Sequence, residues 1–452
     1  MTTFPVYKLR DIPSDVKDRI MRRSRLDISH IEPDVRAILS DVKDRGDTAI
    51  AEFLTEQTGK TVKPTDLRVQ KSELSKAYRE LDDKLLRTLK HFIRNVTAFH
   101  KMQMPKSFMR KIENGVYAGQ LVVPIASAGL YVPSGKARYP SVAGMVTVPA
   151  KVAGVRRIAL ASPPAEGEFK MDPATLVAAH LSGANEFYIM GGAHAISAFA
   201  YGTQSIKPVD AVAGPGGPWT YAAKRLVSAS VRIDLPAGPS EVLVFSDGTV
   251  PATQVAWDVL NEAEHGPDST GVLVTTSFEF GLQVASEIDK ALKRIPEPRS
   301  LFVKENAKKY SAIIICDYLD EAIQFINEFA PEHLGIDSVR AHGILKKYAK
   351  ELTNFGTICL NTPTSAGSFG IGPNSTLPTG GSAKLYSGLS VDAFLRKPTV
   401  EELRGKSWRR FSEMVLTLAE YEGFPSHRKS METKITHELG KKQRRSASSS
   451  KV

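Results

Sequence analysis

Arg157-Ile158-Ala159-Leu160-Ala161, Pro173-Ala174-Thr175-Leu176-Val177-Ala178-Ala179-His180 and Glu186-Phe187-Tyr188-Ile189-Met190 follow one another near the middle of the chain. The outer two are apolar runs of strand length. The middle one is longer and begins with proline, which suits the first position of a helix because its missing N–H has no partner there anyway. A strand, a crossover helix and a second strand imply parallel pairing, with helices covering the sheet. Working outward, Leu121-Val122-Val123-Pro124-Ile125 and Ala211-Val212-Ala213 read as further strands, and residues 141–152 as another crossover helix. A second series begins at Glu241-Val242-Leu243-Val244-Phe245 and continues through Gly271-Val272-Leu273-Val274-Thr275-Thr276, Ser311-Ala312-Ile313-Ile314-Ile315-Cys316 and Thr357-Ile358-Cys359-Leu360.

The expected fold is therefore α/β, with two Rossmann-like parallel-sheet domains at residues 119–234 and 235–394 and helical extensions at both ends. Residues 1–118 carry apolar residues at helical intervals, as in Asp34-Val35-Arg36-Ala37-Ile38-Leu39, and are expected to pack on the second domain. Residues 395–435 read as a helical region suited to dimerisation, and residues 436–452 as a disordered basic tail.

Composition narrows the class. The chain has 452 residues, 42% hydrophobic and 24% charged, the proportions of a globular protein with room for more than one domain. No apolar run approaches a membrane span. The two cysteines, Cys316 and Cys359, sit in strand-like runs and read as buried apolar residues in a reducing cytoplasm. The net charge of +11 is inflated by Lys441, Lys442, Arg444, Arg445 and Lys451 at the very end. No nucleic-acid-binding motif accompanies it, so neither nucleic acid nor membrane is expected as a partner.

Three glycine-rich turns follow strands: Tyr131-Val132-Pro133-Ser134-Gly135, Gly191-Gly192-Ala193-His194 and Gly214-Pro215-Gly216-Gly217-Pro218. In a parallel sheet these turns lie at the carboxyl ends of strands, where a phosphate can approach glycine backbone and a helix N-terminus. The plainer reading is tight turns and nothing more. Elsewhere, Glu262 and His265 share a helix face in Asn261-Glu262-Ala263-Glu264-His265, the geometry of a metal pair or of an ordinary solvated face. Pro331-Glu332-His333-Leu334 offers a carboxylate and an imidazole for proton transfer, or a proline-led helix start.

Gly214-Pro215-Gly216, Ala223-Lys224-Arg225, Ile233-Asp234-Leu235-Pro236-Ala237-Gly238-Pro239-Ser240-Glu241, Ala263-Glu264-His265, Pro331-Glu332-His333-Leu334, Gly372-Pro373-Asn374, Leu377-Pro378-Thr379 and Ser387-Gly388-Leu389-Ser390-Val391 resemble, in order, the landmarks of the histidinol dehydrogenases. The resemblance runs from about residue 10 to 430. It implies NAD and zinc as cofactors, a homodimer, and oxidation of an amino alcohol through the aldehyde to the carboxylate. By position, His333 would be the general base and Glu332 the group that activates water. Tyr131, His194, Gly214, Gly216 and Gly217 would face the cofactor. Ser240, Ser375 and Glu422 would face the substrate, and Glu262, His265, Ser368 and His427 the metal.

Five of these positions depart from the family pattern. Glu262 stands for a glutamine, Ser368 for an aspartate, Ser375 for a histidine, Gly217 for an asparagine and His194 for a glutamine. Two imidazoles and one carboxylate with an open position remain a workable zinc shell. Ser375, however, is shorter than the histidine that grips the substrate. The expectation is an NAD-dependent, metal-assisted dehydrogenase of some other small polar primary alcohol. The alternatives are a histidinol dehydrogenase of histidine biosynthesis with an altered zinc shell, and a non-catalytic binding descendant.

Overall fold

The computed structural model describes residues 2–23, 28–135, 137–165, 168–404 and 407–449, with side chains omitted at 409 and 438–449. In chain order the strands of the two parallel sheets are β1 (Val6–Lys8), β2 (Ser127–Tyr131), β3 (Arg157–Ser162), β4 (Glu186–Ile189), β5 (Ala211–Ala213), β6 (Arg232–Ile233), β7 (Glu241–Ser246), β8 (Thr270–Thr275), β9 (Ala312–Ile315), β10 (His333–Asp337) and β11 (Thr357–Leu360). The first sheet runs β4-β3-β2-β5-β6 and the second β1-β9-β8-β7-β10-β11. The α/β class is as expected.

Both sheets are buried on two faces, so their strands carry nearly continuous apolar runs. In β7, Val242 and Val244 pack against the helices Ala252–Ala263 and Phe278–Leu292, while Leu243 and Phe245 pack with the helix Leu319–Phe329 on the opposite face. Leu121–Ile125, read as a strand, is not part of the first sheet. The central strand is Ser127–Tyr131, whose Ala128 and Gly129 carry little strand propensity. A Cβ on Gly129 would come within 2.5 Å of the Phe199 ring, so the neighbouring helix, not the local preference, chooses this residue.

The N-terminal region does not pack on the second domain as a block. Strand β1 pairs with β9 in the second sheet, and Ile20 joins its core. By contrast Val35, Leu39, Ile50 and Leu54 pack with Ala159, Tyr188, Ile196 and Phe199 of the first. An apolar helix face specifies that it is covered, not by which sheet.

Contact density divides the chain into two compact units, Met1–Met104 with Pro124–Phe394, and Pro105–Val123 with Leu395–Val452. In the second unit Phe108–Glu113, Val116–Gln120 and Thr399–Leu403 form an antiparallel sheet where helix was expected. The signal was present: Asn114-Gly115, with Gly115 at φ +80°, is the dipeptide that closes tight hairpins. The helices Ser407–Tyr421 and Pro425–Ser449 complete this unit. The expected disordered tail is thus helical through Ser449. Lysine, arginine and glutamine propagate a helix already nucleated upstream without needing a core. Residues 450–452 of that tail lie outside the described residues.

Candidate functional site

The first sheet builds its site from backbone. The chain runs outward from β2 to β3 and β4, then returns to β5 on the other side of β2, so the strand order reverses between β2 and β5. Ligands of open parallel sheets bind in the crevice outside such a reversal. Tyr131 ends β2, and its buried hydroxyl accepts a hydrogen bond from the Gly192 N–H at 3.2 Å, tying two glycine turns together. Burial holds that phenol above its ordinary range. Gly214 follows β5 at φ +125°, and a Cβ there would meet the Tyr131 carbonyl oxygen at 2.1 Å. Gly216 is equally confined by Thr220, at 2.5 Å, whereas Gly217 faces open space at the N-terminus of the helix Pro218–Val227. His194 lies in the second turn's helix but is buried, its ring stacked on Phe53 at 3.8 Å. Burial pushes it down to about 4.

The second sheet builds its site from side chains, at the starts of β7 and β10. Pro331-Glu332 precedes β10 and His333 is its first residue, so the helix-start alternative is not what forms. Ala330, at φ 52°, ends the preceding helix in the left-handed region, a conformation costing about 1–3 kcal/mol for a residue with a side chain. The register pairs Val242 with His333 and so brings Glu241 beside Glu332. The Glu241 N–H donates to Glu332 Oε2 at 2.9 Å, and His333 Nδ1 lies 3.3 Å from the Glu241 carbonyl oxygen. A carbonyl only accepts, so Nδ1 carries the hydrogen and Nε2 is the nitrogen available for proton transfer.

Charge around His333 is dense and buried. Desolvation would lower its imidazole, but the Glu262 and Glu332 carboxylates outweigh it and lift the group to about 9. Burial, opposed by His333, raises Glu332. Burial likewise pushes Glu241 up to about 7, against the pull of Arg23 and with a push from Glu332. Arg23, itself buried, sits 2.5 Å from Glu241 Oε2 and 3.3 Å above the centre of the Phe329 ring. No sequence signal marked Arg23 as part of this support.

Glu262 and His265 share one helix end, as the spacing predicts. Glu262 is buried, accepts from Thr364 Oγ1 at 2.8 Å and lies 3.3 Å from His265 Nδ1. Despite desolvation, His333, His265 and Thr364 hold it below the ordinary carboxylate range. His265 is about half exposed, with 49% of its side chain accessible, and its Nδ1 is 2.9 Å from Ser240 Oγ. Two donors each about 2.1 Å from one zinc ion stand roughly 3–3.5 Å apart, so this pair fits half a metal shell. Among the described residues no group of three His, Cys, Asp or Glu converges on one point.

Ser368 and Ser375 share a cleft with His333, one of the two residues expected to carry the chemistry. With His333, Thr364 and Asn374 they line a cleft of about 170 Å³. Asn374 fixes the wall: its amide donates to the Met145 carbonyl oxygen at 2.7 Å and approaches His100 Nε2 at 3.0 Å. Glu422 and His427 belong to the second unit, where both are exposed and His427 lies against Phe424 at 5.1 Å.

A family model described as histidinol dehydrogenase matches residues 21–435. The chain belongs to the histidinol dehydrogenase family. It is 40% identical to a histidinol dehydrogenase of Methanothermobacter thermautotrophicus over 92% of this chain and 96% of that one. It is 39% identical to one of Carboxydothermus hydrogenoformans over 94% and 98%. The crystal structure of histidinol dehydrogenase from Elizabethkingia anophelis matches with a TM-score of 0.88 at 30% identity, covering 97% of this chain and 99% of that one. This family consists of oxidoreductases that use NAD and a zinc ion. These relatives overturn the expectation of a dehydrogenase for some other small polar alcohol. Near-full-length likeness to proteins of that name outweighs five departures at single positions. No helix among the described residues is long and apolar enough to cross a membrane.

Proposed function

We propose that this protein is a histidinol dehydrogenase, oxidising histidinol to histidine with NAD. The carrying observation is the near-full-length likeness to relatives of that name, joined to a cleft in which His333 meets Ser368 and Ser375. The Nε2 nitrogen of His333 takes the hydroxyl proton as hydride leaves the carbon. Glu332, buried beside it and raised by desolvation, is basic enough to poise water for addition to the aldehyde. Glu262 and His265 would hold the zinc ion, which when bound polarises the substrate's donors and offsets the carboxylate charge that lifts His333. Ser368 would serve as a neutral oxygen neighbour of that ion.

The reading includes a homodimer in a reducing cytoplasm, supported by two free, buried cysteines and by exposed Tyr421, Leu418 and Met414 on the second unit. Glu422 and His427 are the side chains the family resemblance assigns to substrate and metal from that region. The test is NADH formation with histidinol by the purified, zinc-loaded protein. The proposal expects two NADH per histidinol and growth of a histidine auxotroph carrying the gene. Absence of both would remove it.

A further inference from the structure

One buried ion pair at the nucleotide end of the first sheet has no part in the chemistry described above. Lys224, on the helix Pro218–Val227, and Asp234, just after β6, are in direct contact, with side chains only 4% and 1% exposed. Both spend their remaining hydrogen bonds on backbone. Asp234 Oδ2 accepts from the Gly214 N–H at 2.7 Å. Lys224 Nζ donates to the Gly214 carbonyl oxygen at 3.0 Å and to that of Leu235 at 3.4 Å. The two polar groups of one glycine are thus held from opposite sides by opposite charges.

That glycine needs holding. At φ +125° it is pressed against the Tyr131 carbonyl, in a region only glycine visits freely, and glycine by itself sets no preference among such states. Directly after it come Pro215, Gly216, Gly217 and Pro218. The prolines have no N–H, so Gly216 and Gly217 supply the amides of this turn that a phosphate can use before the helix begins. The direction of those amides follows from the peptide planes at Gly214.

We propose that Lys224 and Asp234 are positioning residues for the dinucleotide: they clamp Gly214 so that the following glycine amides and the helix N-terminus face the pyrophosphate. The clamp rests on the functional reading above, in which NAD occupies the crevice between β2 and β5. It acts through hydrogen-bond geometry, and the paired charges let it survive burial. A purely structural ion pair would instead contribute to stability alone.

The two roles separate in paired variants. Either Lys224→Met or Asp234→Leu leaves a buried charge unpaired and lowers the melting temperature. The apolar double variant Lys224→Met/Asp234→Leu removes both charges and recovers much of that loss, because apolar replacements of a whole buried pair are often tolerated. Its Kd for NAD, by calorimetry, stays weaker by about tenfold or more, the usual consequence of losing one or two well-placed hydrogen bonds, while kcat at saturating NAD stays near the parent's. The double variant Lys224→Met/Asp234→Asn removes the charges, keeps an acceptor for the Gly214 N–H but loses the donor to its carbonyl, and binds NAD about threefold to tenfold more weakly than the parent. An apolar double variant that binds NAD like the parent overturns the clamp. So does a Lys224→Met/Asp234→Asn variant that keeps its melting temperature and binds NAD like the parent, and this second arm decides the matter if the apolar variant does not fold. A parent protein that binds no NAD at all instead removes the functional reading on which the clamp rests.

Discussion

The two sheets place their candidate functional groups at opposite ends. In the first sheet they lie at the carboxyl ends of β2, β4 and β5, where glycine turns lead into the helices Gly192–Tyr201 and Pro218–Val227. In the second they lie at the amino ends of β7 and β10, beside the C-terminus of the helix Ala252–Ala263. The dipoles explain the division of labour. Helix N-termini carry partial positive charge and unsatisfied N–H groups, which suit a dinucleotide phosphate. A helix C-terminus carries partial negative charge, which suits a metal ion or an imidazolium, and it is there that Glu262 and His265 sit. On the proposed function, one parallel sheet would bind an anion with backbone, and the other would handle cations and protons with side chains.

This contrast is most directly broken at His333. Removing a general base commonly costs about 10²–10⁴ in rate, so His333→Ala should lower turnover by that much while leaving the Kd for NAD unchanged. Equal losses in turnover and NAD affinity would mean the two sheet ends do not act separately. At the metal, purified protein should carry about one zinc per chain, and His265→Ala should reduce this to a trace by elemental analysis, again with NAD affinity intact. Metal content that survives the substitution would move the ion away from this helix end.

Stability offers two finer probes. Arg23→Met leaves Glu241 buried without its guanidinium, and breaking such a pair costs about 3–5 kcal/mol in denaturant unfolding. Adding Glu241→Gln should return part of it. A loss below about 1 kcal/mol for Arg23→Met would show the buried charges of the second sheet to be neutralised by some other route. The smallest effect belongs to the first unit's buried histidines. Burial lowers His100 and His194 to about 4, so the native state favours their neutral forms. Their contribution is full above the unfolded value near 6.5 and is lost as pH falls through about 4, up to about 3 kcal/mol for each. His194→Gln should therefore flatten the decline of melting temperature between neutral and acid pH. An unchanged slope would put the acid sensitivity elsewhere, among the carboxylates of the second sheet.

Much of the first contrast was legible in the chain. Apolar runs buried on both faces read as parallel strands, and the glycine turns after Tyr131, Ile189 and Ala213 lie at the carboxyl ends of their strands, as such turns do in a parallel sheet. Glu262 and His265 were paired by helical spacing alone. The second site was less legible, because it is assembled across strands. Glu241 meets Glu332 only through the register of β7 with β10, and Arg23 arrives from the other end of the chain. The family resemblance implies His194 on the cofactor side, and the structure buries its ring against Phe53, a contact no local pattern announces.

By itself, then, the sequence determined the α/β class, the family, and the residue types at both sheet ends, because period, turn chemistry and ordered motifs are properties of neighbours along the chain. The tertiary structure alone decided which strand sits at the centre of the first sheet, which sheet each N-terminal helix covers, and how far the Glu332 and His333 ionisations move. Those depend on what lies across a few ångströms of low-dielectric interior, where burial and a single facing charge outweigh any preference written into one segment.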